Sequence, residues 1–141
     1  MKILVSACLL GENCKYNGGN NYNPAVAEYV KGKEILALCP EIMAGMGCPR
    51  TPIEIVDGML MDRNGNNVDA AMRVAVAKAM DMVRQENVQF AILQSRSPTC
   101  GVNQVYDGTF SGRLIHGSGM FAQALKDAGF PVTDAEDVKN P

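Results

Sequence analysis

A chain of 141 residues, 47% apolar and 20% charged with a formal net charge of -2, has the composition of a soluble globular domain able to bury its own core. The balance of charge offers no electrostatic footprint for nucleic acid, and no apolar run approaches the length needed to span a membrane. With no tryptophan and few aromatics, a small-molecule partner is the default expectation.

The first apolar run, Ile3-Leu4-Val5, follows Met1-Lys2 and leads to Cys8. It is far too short for a signal-peptide core. It reads as the first strand, residues 2–7, of a cytoplasmic protein. The cysteines at 8, 14, 39, 48 and 100 are odd in number and irregular in spacing, so a disulfide framework is not expected. The absence of a Cys-x-x-Cys pair removes most of the weight of ribbon-type zinc and thioredoxin-like sites.

Residues 12–21 are polar and glycine-rich, a ligand-contacting loop or simply a long turn. Asn23 then caps a short helix with Pro24 at its first position. Val26, Tyr29 and Val30 are expected on its buried side, and Gly32 closes it. A second strand, residues 34–38, ends at Cys39-Pro40-Glu41, where the proline turns the chain out of the sheet. After a loop from Met43 to Pro52, residues 53–56 and 59–61 flank Asp57-Gly58, a hairpin signal.

The longest helix is capped by Asn67 or Asp69 and ends near Gln85. Its expected apolar stripe comprises Val68, Ala71, Met72, Ala75, Val76, Ala79 and Val83. A third strand (89–94) follows, then the turn-rich segment Tyr106–Gly112. His116-Gly117-Ser118-Gly119 leads to a helix with Phe121, Ala124, Leu125 and Ala128 inward, stopped by Gly129. Pro131-Val132 opens an edge strand, and the acidic tail from Asp134 is expected to fray. Strands alternating with helices define an α/β fold. The expectation is a single domain over residues 1–141, with a mainly parallel Rossmann-like sheet flanked by helices and one β-hairpin.

The third strand runs into Gln94-Ser95-Arg96-Ser97-Pro98-Thr99-Cys100-Gly101, a sharp turn carrying a thiol, hydroxyls and a guanidinium. Three strands thus each deliver a cysteine, Cys8, Cys39 or Cys100, to their carboxyl ends. In a parallel sheet those ends share the rim at which open α/β sheets bind ligands. Three thiolates there could hold an iron–sulfur cluster or zinc, or act as nucleophiles. For zinc, Cys14, Cys48 and His116 are the available further ligands, none at a tight spacing. A phosphatase loop beginning at Cys8 is excluded, because the arginine needed six residues later to hold phosphate is Cys14.

In order and spacing, the chain resembles the thiouracil desulfidase family, once catalogued only as a domain of unknown function. The matching segments are Val5-Ser6-Ala7-Cys8-Leu9-Leu10-Gly11, Cys14-Lys15-Tyr16-Asn17-Gly18, Cys39-Pro40-Glu41, Pro49-Arg50 through Glu54, Ser97-Pro98-Thr99-Cys100-Gly101 and Tyr106-Asp107-Gly108-Thr109-Phe110. The resemblance implies an oxygen-sensitive [4Fe-4S] cluster held by Cys8, Cys39 and Cys100, with zinc as the weaker alternative. It also implies sulfide release from 2-thiouracil or a related thiolated nucleobase. Glu41 would position or deprotonate the attacking water, and Ser97 would donate to the substrate or relay a proton.

The chain departs from the family pattern at three places. Lys15-Tyr16-Asn17-Gly18 replaces Arg-Tyr-Asp-Gly, Gln94 replaces a lysine, and Cys48 stands where threonine is usual. Bland alternatives are Glu41 as a helix cap and Arg50 as a surface residue paired with Glu54. Two other functions compete: a cluster- or zinc-bearing module that senses or carries sulfur, and a sulfurtransferase passing a persulfide between Cys100 and Cys14 or Cys8.

Overall fold

A computed structural model describes residues 2–138. Its centre is a four-stranded, wholly parallel sheet of β1 (Lys2–Ser6), β2 (Glu34–Leu38), β5 (Val88–Leu93) and β8 (Val132–Asp134). The strand order is β2-β1-β5-β8. The strands that precede the three cysteines of interest are therefore neighbours, with β1 in the middle. Because side chains alternate across a strand, the continuous apolar runs of β1 and β5 feed two cores. Leu4, Ala91 and Leu93 face α3 (Asp69–Gln85) and α4 (Met120–Asp127), whereas Ile3, Val5 and Ile92 face α1 (Pro24–Val30).

The helices follow their sequence signals with local exceptions. Asn23 accepts from the Val26 N–H and Pro24 occupies the first turn of α1. Tyr29 is 36% exposed rather than buried. It packs edge-on to Phe90 and lies under the Lys33 ammonium. In α3 the buried stripe contains Met80 but not Ala71. Asp69 is buried at its start, accepting from the Leu60 N–H and pairing with Arg73. In α4 Phe121, Ala122 and Leu125 are buried and Ala124 packs against the same core; Ala128 is exposed just past its end.

The excursion between β2 and β5 holds α2 (Pro40–Met43) and the expected hairpin, β3 (Ile53–Val56) with β4 (Met59–Asp62). A second hairpin accompanies it: β6 (Gln104–Tyr106) pairs antiparallel with β7 (Leu114–His116). The turn-rich segment near residue 110 is its loop. The tail does not fray at Asp134, because side chains tie it to the rim. Asp134 accepts from the Ser95 hydroxyl, Arg96 pairs with Glu136 at 2.7 Å, and Asn23 donates to the Ala135 carbonyl. Residues 139–141 lie outside the described residues.

The turn after β5 is clipped onto the start of α4. A helix leaves its first backbone N–H groups without internal partners. Here Gly119 donates to the Gly101 carbonyl, Met120 to that of Pro98, and Phe121 and Ala122 to that of Thr99. That seat requires a glycine, since a Cβ on Gly119 would lie 2.4 Å from the Thr99 carbonyl carbon. Gly119→Ala is therefore expected to destabilise the fold by about 3 kcal/mol, the upper range for overpacking, in a urea titration.

Candidate active site at the carboxyl rim of the sheet

The carboxyl ends of β1, β2 and β5 open into a cavity of about 450 Å³. Cys8, Cys39 and Cys100 all line it, with Glu41, Ser97 and Thr99. Each thiol arrives differently. Cys8 sits in a 3-10 turn immediately after β1. Cys39 is the residue at which Pro40 diverts the chain from β2 into α2. Cys100 is buried in the turn seated on α4.

The surroundings of the thiols are polar only at chosen points. The Asn21 amide donates to the Cys8 sulfur at 3.4 Å. Burial is the main force raising the Cys8 thiol above its ordinary range, and this bond opposes it. Burial likewise drives up the Cys100 thiol, against a hydrogen bond from Ser6. Cys8 and Cys39 each add to the rise at Cys100, so the three sulfurs lie within reach of one another's charge. The donors are soft thiols with no imidazole among them. His116, the one histidine, is exposed on β7.

Among the described residues, no three cysteine, histidine or carboxylate groups converge as ligands of a single ion. A mononuclear zinc site requires its sulfurs gathered at bonds of about 2.3 Å around one point. Three soft thiols lining one cavity, with no imidazole among them, match in chemistry the protein ligands of an iron–sulfur cluster. The donor set fits such a group.

Glu41 occupies the first turn of α2, but its carboxylate does not simply cap that helix. Oε1 accepts from Arg50 Nε at 2.9 Å and lies 2.9 Å from Nη2, while Oε2 accepts from the Thr99 hydroxyl at 3.1 Å. Arg50 is thus not a surface partner of Glu54; its side chain is 8% exposed and belongs to Glu41. Desolvation opposes its charge, and Glu41 more than offsets that, raising the guanidinium further.

Arg50 also organises the polar loop. Three consecutive carbonyls of that loop, those of Cys14, Lys15 and Tyr16, accept from Arg50 Nη2 at 2.7 Å, Cys48 Sγ at 2.8 Å and the Arg50 N–H at 2.6 Å. Cys48 therefore does the donor's work that a threonine hydroxyl would do at this position. The segment is a cavity wall rather than an idle turn, contributing Cys14, Lys15, Tyr16 and Asn21. Cys14 itself is buried against Cys39, and its thiol is pushed up to about 12, first by burial and then by that neighbour.

Ser97 has a geometrical duty as well as a place in the cavity. Its Oγ accepts from the Thr99 and Cys100 N–H groups at 3.1 and 3.0 Å, fixing the turn that presents Cys100. Neither bond uses the hydroxyl proton, which is left for donation. Sequence patterns pointed to the three cysteines, Glu41 and Ser97. They missed Ser6, Asn21 and Thr99, whose contacts depend on chain separations of 13 to 94 residues.

A parallel sheet with a thiol-lined cavity at its carboxyl rim defines an α/β protein built to bind a ligand there. The chain belongs to the 2-thiouracil desulfurase family, whose profile matches residues 3–137. It is 34% identical over 148 residues to the uncharacterised protein YbbK of Bacillus subtilis (strain 168), covering 98% of each chain. Its fold superposes with a TM-score of 0.91 on the [4Fe-4S]-dependent thiouracil desulfidase TudS (DUF523Vcz), at 29% identity, across 97% of this chain and 92% of that one.

Proposed function

We propose that this protein is a desulfidase that hydrolyses 2-thiouracil or a related thiolated nucleobase to the oxo base and sulfide. Cys8, Cys39 and Cys100 would hold a [4Fe-4S] cluster. The observation that carries the reading is the meeting of three thiols from adjacent strand ends with a carboxylate and a hydroxyl in one cavity. When bound through three thiolates, such a cluster supplies a soft Lewis acid for the thiocarbonyl sulfur.

The chain's own residues supply the rest. A carboxylate has about four lone-pair sites, and the contacts of Glu41 to Arg50 and Thr99 leave room for a water. Glu41 accepts a proton from that water as its oxygen bonds to the thiocarbonyl carbon. The carbon–sulfur bond then breaks as the new hydroxyl loses its proton to give the oxo base, and sulfur leaves as hydrogen sulfide carrying that proton and the one returned by Glu41. Ser97, with its proton unspent, donates a hydrogen bond to the substrate. One water is consumed per sulfide released, with no change in oxidation state.

The sulfurtransferase alternative needs accessible attacking thiols, whereas Cys8, Cys14 and Cys100 are all buried. All five cysteines are free, which suits a reducing cytoplasm. No helix among the described residues is long and apolar enough to cross a membrane. The test is anaerobic incubation of the cluster-loaded protein with 2-thiouracil. Uracil and sulfide should appear in equal amounts; formation of neither would overturn the assignment.

A further inference from the structure

The hairpins, unlike the thiol rim, have no part in the chemistry above, yet they contribute a carefully held aromatic ring to the same cavity. Phe110 lines it from the loop between β6 and β7, half-buried, with a φ of +56°. Bulky side chains rarely adopt that conformation, and it persists where surrounding contacts impose it. Those contacts are specific. Glu54 on β3 is buried, and its Oε1 accepts from the Gly108 and Phe110 N–H groups at 2.9 and 3.1 Å.

Among the described residues Glu54 has no salt bridge, so a buried carboxylate is committed to backbone N–H groups of this loop. Gly108 presses so closely on β3 that a Cβ there would lie 2.6 Å from the Ile55 carbonyl oxygen. The Asp107 carboxylate ties the next turn by accepting from the Thr109 N–H and hydroxyl. Finally Arg63, also a lining residue, sets its guanidinium carbon 5.9 Å from the centre of the Phe110 ring. A cation over an aromatic face steadies it.

We propose that Phe110, braced by Arg63 and by the Glu54 clamp, is a stacking platform that selects planar heteroaromatic thiocarbonyl compounds over open-chain ones. This inference rests on the desulfidase reading, and deepens it by assigning the residue that recognises the ring. Stacking on an aromatic side chain is tolerant of ring substituents, so the platform reads planarity and leaves the thiocarbonyl to the rim. Thiourea has the same N–C(=S)–N unit as 2-thiouracil but no ring to stack.

The experiment compares Phe110→Leu, Arg63→Met and wild type, each loaded anaerobically, for sulfide release from 2-thiouracil and from thiourea. Uracil binding by calorimetry is measured in parallel. Phe110→Leu should raise KM for 2-thiouracil about tenfold with kcat little changed, and weaken uracil binding about tenfold. The kinetics with thiourea should move by less than about twofold, since no stacking is lost. Arg63→Met should move KM in the same direction by about threefold. Unchanged KM and uracil affinity in Phe110→Leu, or equal losses with thiourea, would overturn the platform. A wild type that binds uracil through Phe110 but releases no sulfide would overturn the desulfidase reading and support the platform. A wild type that binds no uracil would overturn the platform.

Discussion

Serine at position 8, 39 or 100 is expected to leave the anaerobically prepared protein without its cluster and reduce sulfide release from 2-thiouracil to background. A hard hydroxyl is a poor substitute for a soft thiolate at iron. Each of the three positions ends a different strand or its turn, so none can replace another. The same substitution at Cys14 or Cys48 should retain the cluster. Cys48 spends its thiol on the Lys15 carbonyl, a bond that serine can also make. Cys14 lies in the loop beyond the 3-10 turn rather than at a strand end, where Arg50 holds its carbonyl. Iron content and the visible absorption of the five variants measure the contrast.

Glu41→Gln should keep the cluster and lose about 10²- to 10⁴-fold in turnover, the range for removing a general base. Glutamine keeps one oxygen to accept from Arg50 and can donate its amide N–H to the Thr99 hydroxyl, but cannot take a proton from water. It also leaves the Arg50 guanidinium, 8% exposed, without its counter-charge. Breaking such a buried pair costs about 3–5 kcal/mol, so the unfolding midpoint should fall too. Steady-state sulfide release is therefore measured well below that midpoint, on protein whose iron content matches wild type. Wild-type turnover in such a sample would remove Glu41 from the chemistry.

Much of this site was legible in the sequence because it lies where apolar runs stop. Ile3-Leu4-Val5, residues 34–38 and the run ending at Leu93 could be read as strands, and parallel strands bring their carboxyl ends to one rim. Cys8, Cys39, Cys100 and Glu41 follow from that rule and the family resemblance. Nothing local to Arg50 indicated Glu41 rather than Glu54 as its partner. Both acids lie within nine residues of it, and only the fold of the loop from 44 to 50 decides between them.

The second hairpin was hidden for a different reason. Its strands are three residues each and only Val105 is buried, so no period-two pattern survives to be read. The acidic tail misled through composition, since Asp134 and Glu136 look solvent-bound until Ser95 and Arg96 reach them across the sheet. Helical spacing places Tyr29 inward, yet on a seven-residue helix the stripe is narrow and its edge meets solvent.

The central claim is that three strand-end thiols hold a cluster on which sulfide release depends. Its most direct test is to reconstitute the wild-type protein anaerobically with iron and sulfide, count both per chain, and assay 2-thiouracil before and after chelation of the iron. About four irons and four sulfides per chain are expected, as the cluster type requires, with uracil formation present when they are bound and lost when they are removed. A colourless protein that takes up one zinc ion per chain, or one that releases sulfide equally well without iron, would contradict it.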